Sequence, residues 1–154
     1  VIALNESVRT GVNVRVWRHD LRTGRRELWD AGHNLVTNAG LNLIRDRLRG
    51  AALVSALSHL AVGTNNTAAG AGDTALGAEV FRDIVTQSSV SASTVVIRYY
   101  LGPNDANGNT LREAGLFNAS SGPTLYARRI LSSPIVKTID VAATFEWTLA
   151  FAAV

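Results

Sequence analysis

The strongest constraint on the fold lies at the end of the chain. From Val141 to Phe151 the odd positions read Val, Ala, Phe, Trp, Leu, Phe, while Ala142, Thr144, Glu146, Thr148 and Ala150 fill the even ones. A period of two sends alternate side chains to opposite faces of a strand. One face here carries the aromatic ladder, and a slip of one residue would put all of it into water, so the pairing must be tightly specified. A second alternation opens the chain. Val8, Thr10, Val12, Val14 and Val16 share one face, with Arg9, Asn13 and Arg15 on the other. Asp20-Leu21-Arg22-Thr23-Gly24 supplies turn residues, and Gly24 is free to take a positive φ. Arg26-Glu27-Leu28-Trp29 reads as the return strand, which makes residues 8–30 a β-hairpin.

Between these two features the period changes once. Leu41, Ile44 and Leu48 recur at i, i+3 and i+7, the spacing of one helical face. Thr37 or Asn38 can cap the orphan N–H groups, Arg45, Arg47 and Arg49 suit the C-terminal end of the dipole, and Gly50 can end the helix. One helix is expected near 38–49, with residues 51–57 able to add a second short piece. Strands are expected over 57–62, 80–85, 94–101 and 125–131, with a linker around 87–93 and a segment over 111–117 broken at Gly115. Residues 63–77 are rich in Gly, Ala, Thr and Asn and read as a long surface loop, of a length that is usually functional or mobile. Gly122-Pro123 marks a turn. Short strands, Gly- and Pro-containing turns and a single helix predict a mainly β fold: an antiparallel β-sandwich or sheet with one short amphipathic helix and an N-terminal β-hairpin. The 154 residues suit a single domain, 1–154, with a basic hairpin or arm over 1–31 and a β-rich body over 32–154.

Composition removes several chemistries. With no Cys there is no disulfide framework, thiolate zinc site, iron–sulfur cluster or thiol nucleophile. The apolar runs are too short to span a bilayer, and no secretory leader or membrane partner is expected. His19, His33 and His59 show no metal-ligand spacing, and no nucleophile elbow or phosphate-binding glycine loop is present. Asp105-Ala106-Asn107-Gly108-Asn109 matches the start of a calcium loop. Its sixth position is Thr110 and its twelfth Leu116, where a glycine and a bidentate Glu belong. An Asn-Gly turn is the better reading. The carboxylates are few and mostly sit beside an Arg, as in Arg45-Asp46-Arg47, Arg82-Asp83 and Arg112-Glu113, which suggests surface ion pairs. No catalytic residue, metal or cofactor is expected.

The net charge of +3 is local. Residues 1–26 hold six arginines against two acids, +4, while the other 128 residues hold nine basic groups against ten acids, −1. The basic hairpin has three readings: a ribbon for nucleic acid with Trp17 and Trp29 stacking on bases, a dock for an acidic neighbouring subunit, or arginines covering their own sheet. Basic and aromatic residues stop near residue 30, so nucleic acid is disfavoured. The candidate partner contacts are Arg15, Trp17, Arg18, Arg22, Arg25, Arg26 and Trp29, with the 63–77 loop second.

From His33 onward a series of segments sets a pattern. Asn34-Leu35-Val36-Thr37-Asn38-Ala39-Gly40 leads into the helix, and Leu60-Ala61-Val62-Gly63-Thr64 precedes the small-residue loop. Then come Asp73-Thr74-Ala75-Leu76-Gly77-Ala78-Glu79-Val80 and Asn107-Gly108-Asn109-Thr110-Leu111-Arg112-Glu113-Ala114-Gly115-Leu116-Phe117. Leu125-Tyr126-Ala127-Arg128 and Pro134-Ile135-Val136-Lys137-Thr138 close the series. This order resembles a family of tailed-bacteriophage and prophage virion structural proteins, described as tail-fibre, baseplate or minor virion proteins. The resemblance spans roughly three-quarters of the chain and leaves out the hairpin. It implies a non-enzymatic virion component, a tail, baseplate or fibre-attachment part. Such a part is assembled in the host cytoplasm from copies of itself, a trimer being one option, and from other virion proteins. A capsid decoration protein is the alternative within that class. A glycan-binding module, using Tyr99-Tyr100 or Trp17, is the alternative outside it.

Overall fold

The computed structural model describes residues 8–51, 54–122 and 124–153. Its strands are β1 (Val8–Asp20), β2 (Arg26–His33), β3 (Leu35–Val36), β4 (His59–Gly63), β5 (Glu79–Ile84), β6 (Gln87–Ser91), β7 (Thr94–Leu101), β8 (Thr110–Phe117), β9 (Leu125–Val136) and β10 (Val141–Ala153). Helix α1 (Asn38–Leu48) lies between β3 and β4. The strands form two five-stranded antiparallel sheets, ordered β2-β1-β10-β7-β6 and β3-β9-β8-β4-β5, and the fold is a β-sandwich.

The two alternating segments build the first sheet. β1 pairs with β10 along its whole length, from Val8 opposite Ala153 to Asp20 opposite Val141. Val12, Val14 and Val16 therefore lie beside Leu149, Trp147 and Phe145, and all six are buried. Ile97, Tyr99 and Leu101 of β7 continue this inner face. Leu60 and Val62 of β4, Leu111 and Leu116 of β8, and Tyr126 and Ile135 of β9 meet it from the other sheet in one core. The basic hairpin is thus part of the sandwich: one of its strands lies inside the sheet and the other forms the sheet's edge.

Helix α1 begins where its cap predicts. The Thr37 hydroxyl accepts from Gly40 N–H at 3.0 Å and donates to the Leu125 carbonyl, which fixes the helix start against β9. The buried face is rotated from the expected one. Gly40 and Leu43 are buried, whereas Leu41 is exposed and Leu48 is 84% exposed. The cause is close packing at Gly40, where an added Cβ would run into the Tyr126 carbonyl. A side-chain-free position chose the contact; Leu41 and Leu48 were left exposed, and of the expected stripe Ile44 packs partly buried against the core.

Three further boundaries differ from expectation. The linker around 87–93 contains β6, whose Gln-Ser-Ser-Val-Ser sequence has no apolar face to announce it. β8 runs unbroken through Gly115, whose missing side chain leaves the space that Leu125 and Leu76 fill. β9 continues past residue 131 through Pro134. Its pairing with β8 slips between Leu111 and Glu113, and Pro134 falls in that irregular stretch, where a missing N–H is tolerated. Residues 52 and 53 of the expected second helical piece, and Pro123 of the expected turn, lie outside the described residues; residues 54–58 carry no helix.

Candidate functional site

Neighbouring residues on a strand point to opposite faces, so Arg112 cannot reach Glu113. Glu113, fully buried on the central strand β8, points instead to the outer face of its sheet and pairs with Arg128 of β9. Its Oε2 accepts from Arg128 Nε at 2.9 Å and from Gly77 N–H at 3.0 Å, and lies in ionic contact with Arg128 Nη2 at 2.8 Å. Its Oε1 accepts from Ala78 N–H at 2.8 Å and Asn65 N–H at 3.3 Å. Arg128 extends the network, donating from Nη1 to Asp73 Oδ2 at 2.8 Å and from Nη2 to the Thr67 carbonyl at 3.2 Å. Asp73 Oδ2 also accepts from Gly70 N–H at 2.9 Å. The loop between β4 and β5 is therefore fastened at Asn65, Thr67, Gly70, Asp73, Gly77 and Ala78 to one buried ion pair. Leu76 completes the attachment, packing with Ala61, Phe117 and Leu125 on the outer face of the sheet.

Local sequence is fitted to this clamp. At Gly63 a Cβ would lie 2.5 Å from Glu113 Oε1 and 2.5 Å from the Ala78 carbonyl, so only glycine lets the carboxylate sit there. The Gly70 N–H and the Arg128 guanidinium hold the Asp73 carboxyl below the usual carboxylate range. Burial works against the charge on Arg128, but its bonds to Asp73 and Glu113 outweigh this and raise its pKa. A carboxylate taken up by four N–H donors and a second guanidinium contact has no acceptor left to turn toward a substrate proton. The arrangement fixes the shape of a surface.

A second cation is enclosed at the opposite end of β9. The Lys137 ammonium is buried and donates to Asn107 Oδ1 at 2.8 Å, the Thr138 carbonyl at 3.0 Å and the Pro103 carbonyl at 3.3 Å. The Asp105–Asn109 segment that resembled a calcium loop thus wraps an ammonium supplied by its own chain. Burial lowers the Lys137 pKa, with Asp105 opposing. Among the described residues no group of three His, Asp or Glu side chains is placed to hold a metal ion.

The structure distributes the hairpin candidates over two faces. Trp17 and Arg26 lie on the outer face, with the Arg26 guanidinium 4.8 Å from the Trp17 ring centroid. Arg18 and Trp29 turn the other way: Arg18 stands 5.3 Å from the Trp29 ring and 3.4 Å from Glu27. Trp29 donates from Nε1 to the Ser133 carbonyl at 3.0 Å. Next to it, buried Asp30 takes two bonds from Arg129, at 2.9 and 3.0 Å, and ties the edge strand β2 to β9. Arg25 pairs with Glu27 at 2.9 Å, and Arg22 reaches Asp140 at 3.9 Å. Arg15 is exposed on the outer face beside Asn13, Ala31, Gly32 and Thr148. The candidates are not one stack: Trp29 is a structural tie, whereas Arg15, Arg22 and Arg25 project into solvent. Exposed Leu21 and Ile139 add apolar surface at the hairpin tip, where Leu21 N–H donates to the Asp140 carbonyl.

Sequence reasoning missed Arg128 and Asp73 and gave Glu113 the wrong partner. A signal was nonetheless present. Gly63, Asp73, Gly77, Glu113 and Arg128 fall within the segments 60–64, 73–80, 107–117 and 125–128, and the fold brings all of them to one point. Among the described residues no helix is long and apolar enough to cross a membrane. Fold and clamp together define an antiparallel β-sandwich with a loop locked over one sheet. No family model matches the chain, and neither a curated protein nor a solved structure is detectably similar to it.

Proposed function

We propose that this protein is a structural component of a tailed-phage particle, working through assembly contacts as a tail, baseplate or fibre-attachment part. The observation that carries the reading is the convergence of the resembling segments on the Glu113–Arg128–Asp73 clamp. Four of the six segments that give the chain its likeness to virion proteins meet where a long loop is locked into a fixed surface. Rigid surfaces suit a building block, because ordering a loop on binding would cost affinity. The hairpin tip supports the same reading. Leu21 and Ile139 beside Arg22 combine apolar area with guanidinium groups, a composition typical of protein contacts. The glycan alternative needs an open ring face, and the Arg26 guanidinium stands over Trp17, leaving Tyr100 as the exposed ring.

The test is immunogold labelling of purified particles from the phage or prophage that encodes the gene. Label at one fixed position along the tail supports the proposal. Label spread over the head favours the capsid decoration alternative. Protein found in the lysate but absent from washed particles overturns both.

A further inference from the structure

A β-sandwich has sheet edges, and unpaired edges invite pairing unless they are protected. β3 is only two residues long. β5 carries Glu79, Arg82 and Asp83, and its pairing with β4 is irregular at Gly63. β2 carries Arg26, Glu27 and Asp30, pairs irregularly with β1 near Trp17, and is tied to β9. The fourth edge, β6, has none of these devices. Gln87-Ser88-Ser89-Val90-Ser91 holds no charge and no proline, and its pairing with β7 is regular throughout.

The ladder shows which groups are free. Phe151 N–H donates to the Ser93 carbonyl, so odd-numbered residues of β7 bond β10 and even-numbered ones bond β6. Gln87, Ser89 and Ser91, opposite Arg98, Val96 and Thr94, therefore turn their backbone groups toward β7. Ser88 and Val90 turn theirs outward. Their side chains lie on the inner side of the sheet, level with Ile97 and Val95, and Val90 is 78% exposed. That side opens into an apolar cavity of about 330 Å³ under α1, lined by Ile44, Leu48, Leu57, Val95, Leu149 and Phe151, with Ser88 at its margin. Leu48, which α1 leaves exposed, lines this groove, while Leu41 lines the adjoining one with Ile44 and Phe151. Arg47, which also lines it, is bonded to the Val54 carbonyl at 2.8 Å.

We propose that β6 is a self-association edge: two copies pair antiparallel across a two-fold axis at Ser89, joining their sheets into one and covering each other's groove. The two-fold places Ser88 opposite Val90 of the second copy and Val90 opposite its Ser88. Among the described residues these are the ones whose N–H and C=O groups are free, so the bonds match. Gln87 then faces Ser91, and no charges meet. Directly opposed residues share a face, so Val90 of each copy comes to lie beside the groove-lining Ser88 of the other. A second copy thus meets both needs, the bare edge and the open apolar groove. This inference deepens the assembly reading and rests on it.

The experiment is sedimentation velocity of the full chain over a range of concentrations, with the wild type, Val90→Pro and Val90→Lys compared. Proline removes an outward N–H, and lysine is a common edge protector, so the two act by different means. The wild type should be a dimer that dissociates on dilution, and each variant should associate about tenfold or more weakly, the proline because a backbone bond is lost in each half of the seam and the lysine because a charge is brought into it. Leu28→Lys, on the opposite edge, should dimerise as the wild type does. Anilinonaphthalene sulfonate should bind the monomeric variants more than the dimer, because their grooves are uncovered. Far-ultraviolet circular dichroism checks that each variant is folded; if the proline variant is not, the lysine variant decides. A wild type that stays monomeric at all concentrations overturns the pairing, as does a dimer equally tight in a folded variant. A monomer that binds the dye only after residues 1–7 are deleted assigns the groove to the chain's own first residues and overturns it too. A monomer found at a fixed position in particles sinks the β6 pairing alone. A β6 dimer absent from particles upholds the pairing and sinks the assembly reading.

Discussion

Replacing Glu113 by Gln keeps the side chain's shape and removes one of its two acceptor oxygens. The groups around it are split between those oxygens, with the Ala78 and Asn65 N–H groups on Oε1, and the Gly77 N–H, Arg128 Nε and the ionic contact of Arg128 Nη2 on Oε2. An amide can present its oxygen to only one group, and its NH₂ then faces the donors of the other. One flip orphans two backbone N–H groups; the alternative flip orphans Gly77 and sets the amide against both Arg128 nitrogens. Leaving a buried donor unpaired costs about 1–3 kcal/mol, and breaking a buried ion pair by removing one partner costs about 3–5 kcal/mol. Arg128 keeps Asp73, which moderates the loss, so about 3 kcal/mol is expected, a large part of the roughly 5–15 kcal/mol that holds a domain together. The assay is urea unfolding followed by tryptophan fluorescence, with Trp147 fully buried in the core as a reporter. Amide hydrogen exchange should show Gly77 and Ala78 losing protection first. The double variant with Arg128→Met should be less damaged than the two single losses predict, by about 0.5–3 kcal/mol of coupling. A Glu113→Gln loss below about 0.5 kcal/mol, the range of an ordinary surface change, would refute the clamp.

Gly63→Ala should cost about 1–3 kcal/mol, because the new methyl meets Glu113 Oε1 and the Ala78 carbonyl, whereas Gly72→Ala, with open space, should leave the urea midpoint unchanged. Tyr126→Phe should leave stability equal or higher at pH 7, since the buried hydroxyl finds no partner among the described residues. Burial pushes the Tyr126 pKa from 10.0 up to about 12, so the folded state keeps a proton that the unfolded state releases. The wild type should therefore lose stability between pH 10 and about 12 by more than the Phe variant, in thermal melts across that window. His19 is held below its ordinary 6.5 by burial and by Arg26, and its ring nitrogen lies 2.9 Å from Thr144 Oγ1. The unfolded state binds the extra proton, so stability should fall as the pH drops below 6.5, and His19→Gln should flatten that slope. An unchanged slope would mean that His19 does not carry it.

How much of this was legible depends on whether information lay along one element or between several. β10 and the hairpin could be read because a period of two is written within each strand. Thr37 marked the helix start because a cap is a local contact. The buried face of α1 was not local: it follows from Gly40 meeting the Tyr126 carbonyl, a backbone contact between residues 86 apart that side-chain periodicity cannot record. β6 was hidden because a serine-rich edge has no buried face to mark it. The Glu113–Arg128 pair was hidden because the adjacent Arg112 offered a nearer partner, although strand geometry sends adjacent side chains apart. The calcium-like loop was doubted from its missing twelfth ligand, and no local rule pointed to Lys137 donating to Asn107 within it.

The two sheets are unequal, and the inequality locates the contacts. The sheet containing β8 is covered on both faces, inside by the core and outside by the clamped loop with Leu76. The other sheet has an open outer face. Arg15, Glu146, Arg98 and Gln87 cross it in one row, and Leu28, Trp17, Thr144 and Tyr100 in the next. Its two edges differ in kind. The hairpin edge is charged, irregular and tied to β9, which blocks strand addition and leaves side chains to make contacts. The β6 edge is neutral and regular, which suits backbone pairing. Copies joined through β6 would carry their hairpins at the two far ends of the joined sheet, because β2 and β6 are its opposite edges. Self-association and docking would then use separate surfaces, and neither would obstruct the other. That separation is what a repeating part needs if it is to pair with its own kind and still attach to something else.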